Sequence, residues 1–475
     1  MARRMVSVMT GVALALGSLA FTVAAPSRAS AETQHVVVTR HGADATIRFQ
    51  THDLGEELLD LTAAAPGVSW QNASSTSAVL RVSVDGRYVT DDVVMDSSLV
   101  TRSFDLGPLF VGRHKLTLHF DTDASSAGAT QVAVARTHFH TVAYGTPGWT
   151  VLSHSPILYG RNVKNVAGEP SGRYQNASTD TPLVAWHEQT PAATPGHTVL
   201  LYSIVWSNED GGTSTPALMA RWGRTTDIEW IYQVEVDANG NTVPGTAVFQ
   251  SPNHGTEVFA GTYELDRPEL QTCTLNNNVC DTVDDPMRFS LSTAESLDST
   301  THAREQVMDA NPWTYRVMAD EVRREGKVVA HPDPAQTTLI ADPTNYLYLV
   351  VRKQTVKPAN SGVFWVGVAI GVRLKGDSSL YRSDFGMHPD WSVERDDPAA
   401  TTVLLPPGTR PSDIAEIDAI RVAFGPDTGA RVRVKAVNRA FFLGRNDEPR
   451  ASFFSRRTPA MLTVAAPTAV LYRAG

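Results

Sequence analysis

Cysteine is nearly absent from this chain: 475 residues contain only Cys273 and Cys280. No Cys-x-x-Cys redox pair and no zinc-thiolate set can be drawn from them. Basic runs are missing as well. The formal net charge is −9, and Lys and Arg nowhere form the stripe that phosphate contacts need, so nucleic acid is not an expected partner. Beyond the N-terminus no apolar run approaches the roughly 18 to 20 residues that span a bilayer. VFWVGVAIGV at 363–372 is short and broken by glycine, so no transmembrane segment is expected. There is no Gly-x-Ser-x-Gly elbow, no His-Glu-x-x-His, no P-loop and no dinucleotide fingerprint, which removes the commonest serine-hydrolase, zinc-protease and nucleotide chemistries. No internal repeat or long low-complexity tract is visible.

What is present begins with an export signal. Arg3 and Arg4 precede an apolar run from Val6 to Ala25, and Ala29-Ser30-Ala31 stands before Glu32. This is the layout of a signal peptide over 1–31, and it predicts a secreted, extracellular mature chain. Removing that segment takes away Arg3, Arg4 and Arg28 and no acid, which leaves the remainder more acidic still. In that compartment Cys273 and Cys280, in QTCTLNNNVCDTV, are expected to pair and pin an Asn-rich loop. So short a loop gains about 2–3 kcal/mol in the chain-entropy model.

The pattern is mainly β. Between Gln34 and Ala143, alternating segments such as TIRFQT, AVLRVSVDG, HKLTLHF and QVAVARTHFHTV are separated by Gly, Asp and Ser turns, which predicts an Ig-like β-sandwich over 32–145. YGTPGW at 144–149 reads as a punctuated junction. A larger, jelly-roll-like β-sandwich region is expected over 146–475, with a division near 300–340. It holds one clear helix: Pro312 at the first turn, Trp313, Val317, Met318 and Val322 on one stripe, charged residues on a solvated back face, and Gly326 at the end. From Thr344 onward the strand pattern returns. His138 and His140 share a strand face but have no acid or third histidine beside them in sequence, so they read as surface polar residues rather than a metal site.

The most informative stretch is LMARWGRTTDIEWIYQVEVD, 218–237. In a strand, Asp227, Glu229, Ile231, Gln233 and Glu235 point one way and Ile228, Trp230, Tyr232, Val234 and Val236 the other, so the second set is expected in the core. Asp227 and Glu229 then stand roughly 7 Å apart at their Cα atoms, near enough to share a cation or divide acid and base roles. Acids of the 208–210 loop and His254 of the SPNHG loop could join them, giving the oxygen-rich donors that Ca²⁺ or Mg²⁺ take. Trp222, in a turn with Arg221 and Arg224, is the best candidate for an exposed sugar platform. His187, in VAWHEQT, is a further candidate for substrate binding or base chemistry, although a His-Glu pair after an apolar stretch is also an ordinary strand end.

The run LLYSIVWSNEDGG…ALMARWGRTTDIEWIYQVEVD, followed by SPNHGTEVF, resembles the necrosis-inducing secreted cytolysins and the related vacuolar-protein-sorting-like domains, over about residues 150–260. Those proteins carry a Gly-His-Arg-His-Asp-Trp-Glu type motif leading into an apolar strand; here Gly223, Arg224, Thr225, Thr226, Asp227, Ile228 and Glu229 fill it. SPILYGR at 155–161 also looks like the opening of the vacuolar-sorting-like domains. The resemblance implies a divalent cation held by the motif's acids and used in glycolipid recognition, with Thr226 standing where the family has a histidine.

Three readings follow. The first is a secreted glycan-directed protein with a cation-assisted recognition site at Asp227, Glu229 and His254, binding carbohydrate or glycoconjugate. The second is a polysaccharide-cleaving hydrolase or lyase in which Asp227 and Glu229 are catalytic. The third is a structural or adhesive exported protein whose acidic face only solubilises it. If the two carboxylates lay on an open sheet with no loop around them, the first two would both fail.

Overall fold

The computed structural model describes residues 30–32, 35–163, 172–209, 211–336, 338–356 and 364–474. Residues 1–29 of the signal peptide expected over 1–31 and the loop acid Asp210 lie outside the described residues. The chain is mainly β, with antiparallel sheets stacked as sandwiches and few helices.

The first sandwich has one sheet in which Gln131–Ala143 pairs with Gly55–Ala64 and this in turn with Val100–Leu109. Its second sheet runs Ala45–Thr51, Gly112–Asp121, Ala78–Val84, Arg87–Val94. Alternation supplies the core: Ile47 and Phe49, Val82 and Val84, Leu116 and Leu118 are all buried. The middle region is built on a five-stranded antiparallel sheet, Pro182–Pro191, Thr198–Trp206, Asp227–Val236, Val248–Ser251, Gly255–Val258. A smaller sheet beside it pairs Ile157–Tyr159 with Arg267–Thr272 in parallel. The last sandwich packs the sheet of Asp397–Leu404, Tyr346–Val356 and Arg431–Phe441 against that of Trp365–Leu374, Ile414–Phe424 and Thr468–Arg473, around a core of its own. The first sandwich and the middle region share one continuous core, from Val38 to Leu443.

Four α-helices occur among the described residues: α1 (Pro147–Ser153), α2 (Thr215–Trp222), α3 (Gln306–Ala310) and α4 (Trp313–Arg324). The 144–149 segment, read as a punctuated junction, leads into α1, with Thr146 Oγ1 accepting from the Trp149 N–H and Pro147 in the first turn. The stripe expected for α4 is present, with Trp313, Val317, Met318 and Val322 buried. Its back face is not solvated, however. Glu321 is fully buried, accepting from Trp70 Nε1 (2.9 Å), Thr179 Oγ1 (3.1 Å) and Arg324 (2.6 Å). Arg316 reaches Asp96 and Glu448, and Arg323 reaches Asp342 and Asp447. The helix is clasped between the outer sandwiches, and its charges are the clasp. Among the described residues no helix is long and apolar enough to cross a membrane.

Candidate functional site

The strand Asp227–Val236 does not keep one parity. Tyr232 pairs with Tyr202, but the next pair is Ser203 with Trp230, so Ile231 is an extra residue in the ladder, a β-bulge. Beyond it Glu229 pairs with Ile204 and Asp227 with Trp206. Residues opposite each other share a face, so Asp227 and Glu229 lie on the side of Tyr202 and Tyr232 rather than opposite it. The expected division of the strand is therefore corrected: the two acids do share a face, but it is the face of Tyr232, Val234 and Val236. Asp227 is buried to 1% exposure, Ile231 is buried, and Trp230, expected in the core, is only half-buried.

Three loops close around the acids. The disulfide Cys273–Cys280 forms, with a Cα separation of 5.9 Å, and the loop it ties presents Asn276, Asn277 and Asn278 to the site. Asn277, fully buried and at φ +49°, places its Nδ2 2.9 Å from Asp180 Oδ1, 3.1 Å from the Asn208 carbonyl and 3.1 Å from Asp227 Oδ2. Asn276 donates to Glu209 Oε1 (3.0 Å) and the Gly211 carbonyl (2.6 Å) and accepts from His254 Nε2 (2.8 Å). The second loop carries Glu209, whose Oε1 also takes the Thr213 N–H at 3.0 Å. The third is the turn Pro252–His254, in which Asn253 and His254 both hold positive φ, +65° and +59°. His254 Nδ1 accepts from Gln250 Nε2 at 2.7 Å and stands 3.8 Å from Glu229 Oε1. Asp180 at the floor pairs with Arg161 of the SPILYGR segment at 3.0 Å.

The charges are crowded. Asp227 is held well above the usual carboxylate range, first by burial and then by Glu229 and Glu209, with Arg224 and Asn277 opposing. Glu209 is pushed up to about 7, again mainly by burial, with Arg224 the largest opposing influence. Arg224 is itself shared, its Nε lying 3.3 Å from Glu305 and its guanidinium donating to the Thr226 carbonyl. Oxygen donors of this kind are what Ca²⁺ or Mg²⁺ take, and a divalent ion would offset the repulsion. The expected set Asp227, Glu229 and His254 does not form a closed shell here. Among the described residues the group whose ligand atoms all lie within 4.8 Å of one another is Asp60, His138 and His140. Asp227 is the floor, pinned by Asn277, while Glu229 and His254 lie nearer solvent.

Other expected residues sit elsewhere. Trp222 is not in a turn but ends α2, and Gly223 caps the helix at φ +66°, its Cα so close to Ala400 that a Cβ would stand 2.9 Å from the alanine's. The Trp222 ring is half-buried among the guanidinium groups of Arg395 (4.0 Å), Arg221 (5.6 Å), Arg224 (5.8 Å) and Arg304 (6.0 Å), so it is not the open sugar platform expected. Arg224 is buried and faces the acids as a counter-charge. His187 is buried, with Nδ1 donating to the Thr293 carbonyl at 2.6 Å, and it pairs with Tyr202, four residues along its strand from the partner of Asp227. It is a buried histidine well inside the strand Pro182–Pro191, not at the strand end that the sequence also allowed. Thr226 is buried against Met308 Sδ at 3.3 Å and offers no ligand. Glu209 is one of the loop acids expected to join the pair, whereas the asparagines Asn276, Asn277 and Asn278 are the members of the cluster that no motif singled out. The pairing of the cysteines was their only sequence signal.

Comparison with protein families and with characterised proteins gives no match. Among solved structures, the CBM36-1 domain of a multidomain xylanase from the hindgut metagenome of Trinervitermes trinervoides is 9% identical over 24% of this chain and 87% of that one, with a TM-score of 0.18. The EclA C-terminal domain, a sugar-binding protein, is 12% identical over 23% and 79%, also at 0.18. A Podospora anserina GH26-CBM35 β-(1,4)-mannanase is 11% identical over 30% and 35%, at 0.16. Likenesses of this size are too slight to say what this chain binds.

Proposed function

We propose that this chain is a secreted glycan-directed protein whose middle region recognises carbohydrate or glycoconjugate at the cluster of Glu209, Asp227, Glu229 and His254, assisted by Ca²⁺ or Mg²⁺. The observation that carries the reading is the gathering of three acids under a loop tied by a disulfide, with Arg224 a counter-charge to both Glu209 and Asp227. Amides of Gln250, Asn276 and Asn278 crowd around His254, and such donors and acceptors match sugar hydroxyls. The resemblance to the necrosis-inducing cytolysins and vacuolar-sorting-like domains supports it too, because the segments that carry the resemblance supply Arg161, Glu209, Asp227, Glu229 and His254 to this one place.

Thermal unfolding of the mature protein in EDTA, Ca²⁺ and Mg²⁺ tests the reading. An ion at about a hundred times its Kd stabilises the native state by about 2.7 kcal/mol. The expected result is an ion-dependent rise in Tm near neutral pH that is lost in both Asp227→Asn and Glu209→Gln, followed by ion-dependent binding on a glycan array. An unchanged Tm in all three conditions would overturn the cation.

A second reading is favoured by one observation: Asp227 lies buried on the same face as the more open Glu229, with its carboxyl held above the usual range by burial and by that neighbour, an arrangement that could divide acid and base roles in cleaving a polysaccharide. It predicts release of new reducing ends in EDTA, abolished in both Asp227→Asn and Glu229→Gln. The glycan-binding reading predicts none.

A further inference from the structure

The strands Gly55–Ala64 and Gln131–Ala143 of the first sandwich pair so that Asp60 lies opposite His138 and Leu58 opposite His140. Thr137 and Phe139 point into the core, so the two histidines between and beyond them project from the outer face of the same sheet. Their rings stand 5.5 Å apart at a 31° tilt, and His138 Nδ1 is 3.3 Å from Asp60 Oδ2. The acid that the sequence around His138 lacks is thus supplied from a strand almost eighty residues earlier, and one ligand atom from each of the three residues falls within 4.8 Å of the others.

The surroundings are those of a ligand set. Asp60 Oδ1 is held by the Ser103 hydroxyl at 2.6 Å, from the strand on its other side, which orients the carboxylate and leaves Oδ2 toward the rings. His140 Nδ1 is buried and has no hydrogen-bond partner, an uncommon state for a ring nitrogen. No described arginine or lysine pairs with Asp60. Two imidazoles and one carboxylate are nitrogen-rich, unlike the all-oxygen shell that Ca²⁺ or Mg²⁺ takes, and they suit a first-row transition ion of the zinc type with one position left open.

We propose that Asp60, His138 and His140 form a binding site for a zinc-type divalent metal on the outer face of the first sandwich, separate from the acid cluster of the middle region.

The test is Zn²⁺ titration of the mature protein by calorimetry, with metal content measured after dialysis, on the wild type, His138→Ala, His140→Ala, Asp60→Ala and Asp227→Asn. One zinc equivalent in the wild type and in Asp227→Asn is expected, with affinity lowered about tenfold or more in each of the three site variants. Ser103→Ala is expected to weaken zinc about ten- to a hundredfold without removing a ligand. Substituting Co²⁺ adds a readout specific to coordination: a visible d–d band in the wild type that is absent in His140→Gln, a variant that preserves side-chain bulk and polarity should alanine unfold the sheet. Zinc binding that is equal in wild type and His140→Gln, that depends on Asp227, or that is absent from the folded wild type would each overturn the site.

Discussion

Asn277 holds more of the acid cluster together than any residue of the motif that draws attention to it. Its amide faces Asp180, Asp227 and the Asn208 carbonyl from a left-handed backbone position inside the protein. Asn277→Leu leaves two buried carboxylates short of a donor, and such losses cost about 1–3 kcal/mol each. A destabilisation of about 2–4 kcal/mol, read from urea unfolding, is therefore expected. A change below about 0.5 kcal/mol would mean that the amide is not bonded as described. Asp227 and Glu229 could be read from the sequence because an i, i+2 pair in a strand shares a face whichever face that is. Asn277 and Asp60 could not, since each owes its role to a partner distant in the chain. His187 shows the converse: beside an acid in sequence it looks functional, but a backbone carbonyl and the core have claimed it.

The bulge at Ile231 decides the candidate site at the level of the element. One extra residue reverses the alternation and sets Asp227 and Glu229 on the face of Tyr202 and Tyr232, where Asp227 is buried and its carboxyl is held above the usual range. Nothing in IEWIYQ announces it, because apolar residues stand on both sides of the insertion. The disulfide loop is the second such element. Opening it in a Cys273→Ser, Cys280→Ser variant removes about 2–3 kcal/mol of loop constraint. Since the loop also aims Asn276 and Asn277 at Glu209 and Asp227, the variant is expected to lose its ion-dependent rise in Tm as well as stability. Loss of stability with the ion response intact would restrict the disulfide to pinning its own loop. Gly55–Ala64, the strand that brings Asp60, had no clear alternation to betray it: GEELLDLTAA is rich in helix formers and is buried on both faces over its first half.

Across the whole molecule, buried acids set the response to pH. Glu56 shares Arg267 with Asp105 where the first sandwich meets the middle region, and it is pushed up to about 8; Glu57 and Asp91 rise to about 7, as Glu209 does. A carboxyl whose pKa is higher folded than unfolded contributes stability below its unfolded value and loses it as pH rises through the folded one. His140 and His187, lowered by burial, act oppositely and cost stability as pH falls below about 6.5. In EDTA the maximum Tm is therefore expected at mildly acidic pH, with a loss on the order of 2–4 kcal/mol between about pH 5.5 and about pH 8.5. Stability that climbs steadily over that range would contradict the raised values. A divalent ion should flatten the slope in the wild type but not in Asp227→Asn.

Strand rhythm, the α4 stripe, the pairing of the cysteines and the shared face of Asp227 and Glu229 were determined by the sequence alone, because each depends on spacing along one segment. Which face the two acids occupy, how strongly they repel, which asparagines hold them and which acid meets His138 and His140 were decided only by tertiary structure. Those outcomes depend on register between strands and on loops meeting across the fold, and a one-residue bulge is enough to reverse them.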